Sequence, residues 1–214
     1  MDLRGHGESD APLWCYTLDQ FADDLCALLD HLGHSQAVFV GLSMGGYILF
    51  ALYRRYRERV KALVLADTRA QADSEEGRIG RFNLVQTAYR QGVPAVADAM
   101  IPKLFSQATL QGRPDLVRQA RDIIEANQVS GIASDLMAMA QRPDSTALLK
   151  EITVPTLVIV GDQDIATPPS DAHVIADGIR GSKMVAIPGA GHLANLEQPE
   201  AFNLALVEFL ESVR

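Results

Sequence analysis

The sequence contains little cysteine: two residues in 214, Cys15 and Cys26. Two cysteines are too few for a disulfide framework or a cysteine-based metal site. A reducing compartment is the simpler expectation, and we predict a cytoplasmic location. The sequence also lacks an apolar run of about 18 residues, so we expect no membrane span. Because its first residues are charged and polar, we expect no signal peptide either.

Basic residues are also few compared with acidic ones. Nineteen lysines and arginines stand against 27 aspartates and glutamates, which gives a formal net charge of −8. A net negative field repels a phosphate backbone and no basic cluster offsets it, so nucleic acid is not an expected partner. The 48% hydrophobic and 21% charged residues are typical of a globular chain, long enough for one domain with a sizeable core.

Helix-like and strand-like segments alternate in the first third of the chain. After a loop rich in glycine and aspartate, Thr17 and Gln20 form a capping-box pattern that predicts a helix over about 18–32. Short unbroken apolar runs at 37–40 and 62–66 indicate strands buried on both faces, with a helix between them. This alternation predicts parallel strands joined by crossover helices.

Residues 68–150 interrupt the alternation, because no strand-like run occurs there. Glycines and prolines divide this stretch into several predicted helices, at roughly 75–92, 94–105, 114–126 and 130–141. The alternation then resumes with strands at 156–160 and 184–187 and helices at 169–179 and from Pro199 onward. We therefore predict an α/β fold with a parallel sheet core formed by residues 1–67 and 151–214, and a helical cap or lid formed by 68–150.

The strongest chemical signal is GLSMGG at residues 41–46, which matches the nucleophile-elbow pattern G-x-S-x-G. A predicted strand precedes it and a predicted helix follows it, as the elbow requires. The turn is strained, so the residues two before and two after the serine, Gly41 and Gly45, must lack bulk. We predict that Ser43 is a nucleophile and that the Met44 N–H, at a helix N-terminus, points toward a developing oxyanion. The alternative is a glycine-rich turn without chemistry.

A serine nucleophile needs a base, because its free hydroxyl is a poor nucleophile. His192 is the first candidate, since it follows a predicted strand in a loop of small residues. His6, in an Arg-Gly-His-Gly loop, is the second. His31 and His34 flank the end of a predicted helix and His173 lies early in another, so these three have weaker claims.

The base in turn needs a carboxylate that fixes its tautomer. Asp164 is preferred over Asp162, which we expect to accept backbone N–H groups in its turn. Asp67 is a further candidate, because it too follows a predicted strand. The order Ser43, Asp164, His192 is the nucleophile–acid–base order of an α/β-hydrolase.

These motifs together resemble an α/β-hydrolase of the small esterase, lactonase and cofactor-free haloperoxidase-like group, over nearly the whole chain. The matching segments are the loop at 2–9, the elbow at 41–46, the acid turn at 161–164, the histidine loop at 189–192 and the start of the last helix at 197–199. The resemblance implies that the His6 loop is structural and that the cap shapes substrate choice. No metal and no organic cofactor is implied.

The family pattern also places about three to four strands and a helix ahead of the loop at 2–9, with a His-Gly loop that completes the oxyanion hole. No segment here matches that loop. The Met44 N–H would then act alone, and loss of one donor costs about 10²–10³ in turnover. The strand at 37–40 would form a bare sheet edge. We expect one of two explanations. Either the sequence is a fragment or starts at an internal methionine, or the protein is a homo-oligomer that associates through this edge.

We predict hydrolysis of an ester or lactone of a small, mostly apolar substrate. Ser43 would attack the carbonyl, His192 would take the hydroxyl proton and later activate water, and Asp164 would orient His192. One alternative is perhydrolysis or hydrolytic carbon–carbon cleavage by the same triad. Another is a catalytically impaired protein that binds a small ligand under the cap. Trp14, the one tryptophan, would line the pocket or anchor a loop.

Overall fold

A parallel sheet forms the centre of the computed structural model, which describes residues 2–12 and 16–214. Its four strands lie in the order β1 to β4: Ala37–Leu42, Val60–Ala66, Thr156–Gly161 and Lys183–Ile187. All three pairings between neighbouring strands are parallel. Both the parallel sheet and its number of strands agree with the prediction, and each strand extends one or two residues beyond its apolar run.

Ten α-helices connect and cover the strands in the described part of the chain. They are α1 Leu18–His31, α2 Met44–Tyr56, α3 Glu75–Gln91, α4 Val93–Leu104, α5 Gln107–Gly112, α6 Pro114–Glu125, α7 Val129–Ala140, α8 Pro169–Gly178, α9 Ala194–Glu197 and α10 Pro199–Ser212. Two short 3-10 helices lie at Arg57–Arg59 and Thr146–Glu151. The capping box that predicts α1 is present, since Thr17 and Gln20 each accept the other's backbone N–H.

The two faces of the sheet are covered by different helices. Because side chains alternate along a strand, Leu63 and Leu65 pack on one face with α1, α2 and α8, whereas Val64 and Ala66 pack on the other with α10. All six residues of β3 are buried, as expected for a strand enclosed on both faces. This packing fixes the carboxyl ends of the strands, where the loops that carry the candidate site begin.

The helical segment, residues 68–150, contains α3 to α7. Its helices pack on one another, α3 against α7 and α4 against α6. A small apolar cluster of Ile101, Phe105, Leu116 and Ala120 stabilises the contact between α4 and α6. Leu193, a partly buried residue of the core, packs against this cluster. The sequence pattern predicts four of these helices. It misses α5, which has only six residues and too little periodicity to be detected.

Two predictions fall on residues outside the described ranges, those on Trp14 and Cys15. Cys26, on α1, is a buried free thiol. None of the helices in residues 2–12 and 16–214 combines the length and apolar character that crossing a bilayer requires.

Candidate active site

Ser43 lies in the tight turn between β1 and α2, with an unusual backbone conformation. Its φ of 53° is positive, which a residue with a side chain adopts only at a cost of about 1–3 kcal/mol. Hydrogen bonds hold the turn against this strain. The Ser43 N–H donates to the Ala66 carbonyl at 2.9 Å, and the Thr68 hydroxyl donates to the Ser43 carbonyl at 2.8 Å. The strained turn is therefore anchored on the end of the neighbouring strand β2.

The glycines around Ser43 are not equally constrained. A Cβ atom on Gly41 would lie 2.5 Å from the carbonyl carbon of Gly45, and one on Gly46 would lie 2.4 Å from the Thr68 hydroxyl oxygen. A Cβ atom on Gly45 would meet nothing within 4 Å. The expectation that Gly45 must lack bulk is wrong, because the second close approach in this turn is at Gly46.

Met44 is the first residue of α2. The first amides of a helix have no intrahelical acceptor, and the helix dipole makes this end partly positive. The Met44 N–H therefore has the position that the sequence predicts for it, at the helix N-terminus directly after Ser43.

The structure brings Ser43, His192 and Asp164 into one hydrogen-bonded series. The Nε2 atom of His192 lies 2.8 Å from Oγ of Ser43, and its Nδ1 atom lies 2.8 Å from Oδ2 of Asp164. His192 and Asp164 are 4% and 3% exposed, whereas Ser43 is half-buried. Ser43 is thus the least buried residue of the series.

The turn after β3 is shaped around the Asp164 carboxylate. Oδ1 accepts the N–H groups of Ala166 and Thr167 at 2.7 Å and 3.0 Å, and Oδ2 accepts the Thr167 hydroxyl at 2.7 Å. Burial alone would raise the pKa of Asp164, but the hydrogen bonds from His192 and Thr167 hold that pKa below its usual range. An ionised carboxylate only accepts, so Nδ1 of His192 carries the proton and Nε2 faces Ser43 as an acceptor.

The other predicted carboxylates lie elsewhere. Asp162 accepts the N–H of Gly189 at 2.8 Å, which is the backbone role expected for it. Asp67 is fully buried and accepts the N–H of Gly161 at 2.8 Å. Burial raises the pKa of Asp67 to about 7. Asp67 thus supports the turn that carries Asp164, while Asp164 itself is bonded to His192.

The remaining histidines are not brought to Ser43. His6 lies with its Nε2 atom 3.0 Å from Oδ2 of Asp135 on α7, and its Nδ1 atom is 3.3 Å from the Arg4 carbonyl. His31, His34 and His173 are exposed.

Sequence reasoning missed the residues that pack the two site loops together. Thr167 contacts both Asp164 and the Nδ1 atom of His192, at 3.3 Å from the latter. A Cβ atom on Gly161 would lie 2.1 Å from the Gly191 carbonyl oxygen, so the acid turn touches the histidine loop backbone to backbone. The glycines in both motifs could have indicated this close approach in the sequence. No sequence feature indicated the role of Thr167, apart from its position three residues after Asp164.

Within the described ranges, no group of three or more histidine, cysteine, aspartate or glutamate residues could hold a metal ion.

Comparison with known sequences decides the family. The sequence profile described as alpha/beta hydrolase fold matches residues 1–199. The chain belongs to this family. The predictions of the family and of its fold are therefore confirmed.

Three relatives illustrate the similarity. A thermophilic esterase structure from Thermogutta terrifontis has a TM-score of 0.95 and 42% identity, covering 99% of this chain and 78% of that one. The 3-oxoadipate enol-lactonase 2 of Acinetobacter baylyi is 34% identical over 205 residues, 96% of this chain and 75% of the relative. A pimeloyl-[acyl-carrier protein] methyl ester esterase of Neisseria meningitidis is 29% identical over 218 residues, 100% of this chain and 68% of the relative.

Proposed function

We propose that this α/β-hydrolase is a serine hydrolase that cleaves a carboxylic ester or lactone through Ser43, His192 and Asp164. The chain is a hydrolase acting on ester bonds, as its family and its esterase and lactonase relatives indicate. The observation that carries the proposal is the hydrogen-bonded series itself, with 2.8 Å from Ser43 Oγ to His192 Nε2 and 2.8 Å from Nδ1 to Asp164. Nucleophilic catalysis by a serine, histidine and aspartate triad needs this arrangement of hydroxyl, base and orienting carboxylate.

The proposed reaction has two stages. Ser43 Oγ attacks the carbonyl carbon while His192 Nε2 takes the hydroxyl proton, and the Met44 N–H stabilises the oxyanion that forms. His192 then gives the proton to the departing alcohol oxygen, which leaves an acyl group on Ser43. In the second stage water attacks the acyl carbon while His192 takes a proton from it. The bond between the acyl carbon and Ser43 Oγ then breaks as His192 returns the proton to Oγ, which releases the carboxylic acid. Ionised Asp164 stabilises the imidazolium in both stages.

The helical segment is proposed to act as a cap over this site. Its support is a direct contact: the Leu193 N–H, one residue after His192, donates to the Leu104 carbonyl at 3.0 Å. A segment that touches the histidine loop is placed to shape the substrate site beside it. We propose esters or lactones as substrates, because relatives are an enol-lactonase and a methyl ester esterase. That the substrate is small and mostly apolar stays a prediction from the sequence.

Covalent labelling tests the proposal. The protein is treated with a fluorophosphonate, and the adduct is located by intact mass and peptide mapping. The expected result is a single adduct on Ser43 that is lost in Ser43→Ala and retained in Ser35→Ala, an exposed serine used as the control. Turnover of p-nitrophenyl esters and simple lactones should follow the same pattern.

Failure of that experiment has a definite meaning. Folded protein without an adduct would overturn the serine hydrolase proposal and favour a protein that binds a small ligand without turning it over. Labelling with no ester or lactone turnover, but with peracid formation or carbon–carbon cleavage, would favour those reactions of the same triad.

Two further predictions from the sequence stay predictions. The first is association of two copies through β1, which lies at the edge of the described four-stranded sheet and carries Val40 at 49% exposure. Sedimentation of a well-folded monomer at micromolar concentration would contradict it. The second is a cytoplasmic location, which fractionation of the source cells would test.

A further inference from the structure

Glu197 is a buried carboxylate that the proposed mechanism does not use. It is 5% exposed and ends the short helix α9. Its Oε1 atom accepts the N–H of Gly191 at 2.6 Å, and its Oε2 atom accepts the N–H of Ser106 at 2.9 Å. Gly191 directly precedes His192, whereas Ser106 lies in the helical segment at the start of α5. One side chain therefore joins the loop of the proposed base to the helical segment.

The chemistry of these two bonds suits a carboxylate. An ionised carboxylate is an acceptor only, and its hydrogen bonds to N–H groups are roughly twice as strong as those of neutral acceptors. A glutamine of the same shape would direct its NH₂ group, a donor, at one of the two N–H groups. Substitution by glutamine would therefore break the link on one side while filling nearly the same volume.

The backbone around this link leaves little room for independent movement. A Cβ atom on Gly191 would lie 2.5 Å from the Ser106 nitrogen and 3.0 Å from Oε1 of Glu197. On the far side of His192, the N–H of Leu193 donates to the Leu104 carbonyl at 3.0 Å. The residues on both sides of His192 are thus tied to residues 104–106, and a displacement of that stretch must be transmitted to the imidazole.

We propose that Glu197 is a positioning residue that couples the docking of residues 104–106 to the alignment of His192 with Ser43. When this stretch is docked, Glu197 holds the histidine loop so that Nε2 meets Oγ of Ser43. When residues 104–106 are undocked, the histidine loop loses its hydrogen bond to Glu197, and Nε2 of His192 moves away from Oγ of Ser43. The proposal rests on the proposed function, because it concerns the base of that reaction.

The test compares Glu197→Gln with Glu200→Gln, an exposed glutamate in the first turn of α10 that undergoes the same chemical change. The rate of fluorophosphonate labelling at Ser43, and kcat and KM for a p-nitrophenyl ester, are measured per folded molecule. We expect Glu197→Gln to lower kcat and the labelling rate about tenfold to a hundredfold, since small misplacements of reacting groups have effects of this size. KM should change much less, and Glu200→Gln should match the wild type.

Hydrogen exchange separates positioning from general destabilisation. In Glu197→Gln, amide exchange should rise together in 104–109 and in 189–193, with the rest of the sheet still protected. Wild-type kcat and labelling in folded Glu197→Gln would overturn the coupling and leave the serine hydrolase intact, as would a rise in exchange throughout the chain. Failure of the wild type to label at Ser43 would instead overturn the proposed function.

A second variant covers the case in which Glu197→Gln does not fold. Glu197→Asp keeps the acceptor-only charge but is one methylene shorter, so it can reach one N–H group and not both. A clear fall in kcat at wild-type stability supports the coupling, and unchanged kcat overturns it.

Discussion

Gly41 and Gly45 are in backbone contact across the turn that carries Ser43, so that a Cβ atom on Gly41 would lie 2.5 Å from the carbonyl carbon of Gly45. The constraint acts in one direction, since a Cβ atom on Gly45 would meet nothing within 4 Å. The two small residues of the G-x-S-x-G pattern therefore have different physical roles. Gly41 allows the strand and the helix to approach, and Gly45 fills a position where packing would admit a methyl group.

Alanine substitutions should separate these two glycines. Gly41→Ala is expected to destabilise the fold by about 1–3 kcal/mol, because the added methyl group must displace backbone. Gly45→Ala lies inside α2 and is expected to stabilise the fold by about 0.5–1 kcal/mol, because alanine favours a helix over glycine. Urea unfolding measures both. Equal losses in the two variants would contradict the asymmetry.

The two aspartates of the acid turn should respond differently to amide substitution. Asp164→Asn removes the carboxylate that holds the His192 tautomer and is expected to lower kcat by about 10⁴, as in serine proteases with that change. Asp162→Asn weakens an exposed bond to the Gly189 N–H, worth about 0.5–1.5 kcal/mol of stability, and should leave kcat nearly unchanged. Ester hydrolysis by folded variants gives the comparison. Near-normal activity of Asp164→Asn would make Asp67 the candidate acid.

The sequence was sufficient to predict the sheet and the order of the site residues. The apolar runs at 37–40, 62–66 and 156–160 are too short for helices and therefore indicate buried strands, and the helical crossover between the first two makes them parallel. Parallel strands end at one edge, so motifs that directly follow strands must meet there. For this reason Ser43 and His192 could be paired across 149 positions of chain without any knowledge of tertiary structure.

The choice of the acid, the contact of Glu197 with Ser106 and the two short helices depend on tertiary contacts that no local sequence pattern encodes. Asp67 and Asp164 both follow buried strands, and only the path of the loop after β3 decides which of them meets His192. Glu197 and Ser106 are 91 positions apart, and neither residue belongs to a motif that names the other. The short helices α5 and α9 are stabilised by their neighbours more than by periodicity, so the pattern of apolar residues could not reveal them.

The stability of the fold should depend on the ionisation of Asp67. Burial raises the pKa of Asp67 from 3.8 to about 7, so between these pH values the folded protein retains a proton that the unfolded chain releases. Fewer protons on the unfolded state mean that the free energy of unfolding falls as pH rises through this window, by at most about 1.4 kcal/mol per pH unit. Above pH 7 the destabilisation is complete.

Substitution of Asp67 isolates this effect. Asp67→Asn cannot ionise, yet its amide oxygen can still accept the Gly161 N–H. Its free energy of unfolding should therefore change less with pH than that of the wild type does, from about pH 4 to pH 7. Urea unfolding at several pH values measures both slopes, with exposed Asp162→Asn as the control. Parallel curves for wild type and Asp67→Asn would contradict the raised pKa, because they would show that Asp67 is already ionised in the folded protein throughout this pH range.

A buried arginine joins the helical segment to the core. Arg142, 6% exposed, lies with Nη1 2.7 Å from Oδ1 of Asp73 and donates from Nη2 to the Gln71 carbonyl at 3.0 Å. Its guanidinium also lies 4.2 Å from the centre of the Tyr47 ring on α2. Burial opposes ionisation of Asp73, but hydrogen bonds and charge from Arg81 and Arg142 hold the pKa of Asp73 below its usual range.

Removal of the Arg142 charge should therefore be costly and dependent on pH. Arg142→Met keeps much of the side-chain volume but leaves Asp73 with Arg81 as its one cation, and we expect a loss of about 1.5–3 kcal/mol at neutral pH, the range for a hydrogen bond to a charged group. Arg113→Met, which breaks an exposed pair with Asp115, should cost far less, because solvent screens the attraction between exposed charges. A carboxylate with a lowered pKa stabilises the fold above its unfolded pKa, and this contribution disappears as pH falls through the folded value. The difference between wild type and Arg142→Met should accordingly narrow in acid, and a difference that is constant with pH would show that lost packing, rather than the ion pair, is responsible.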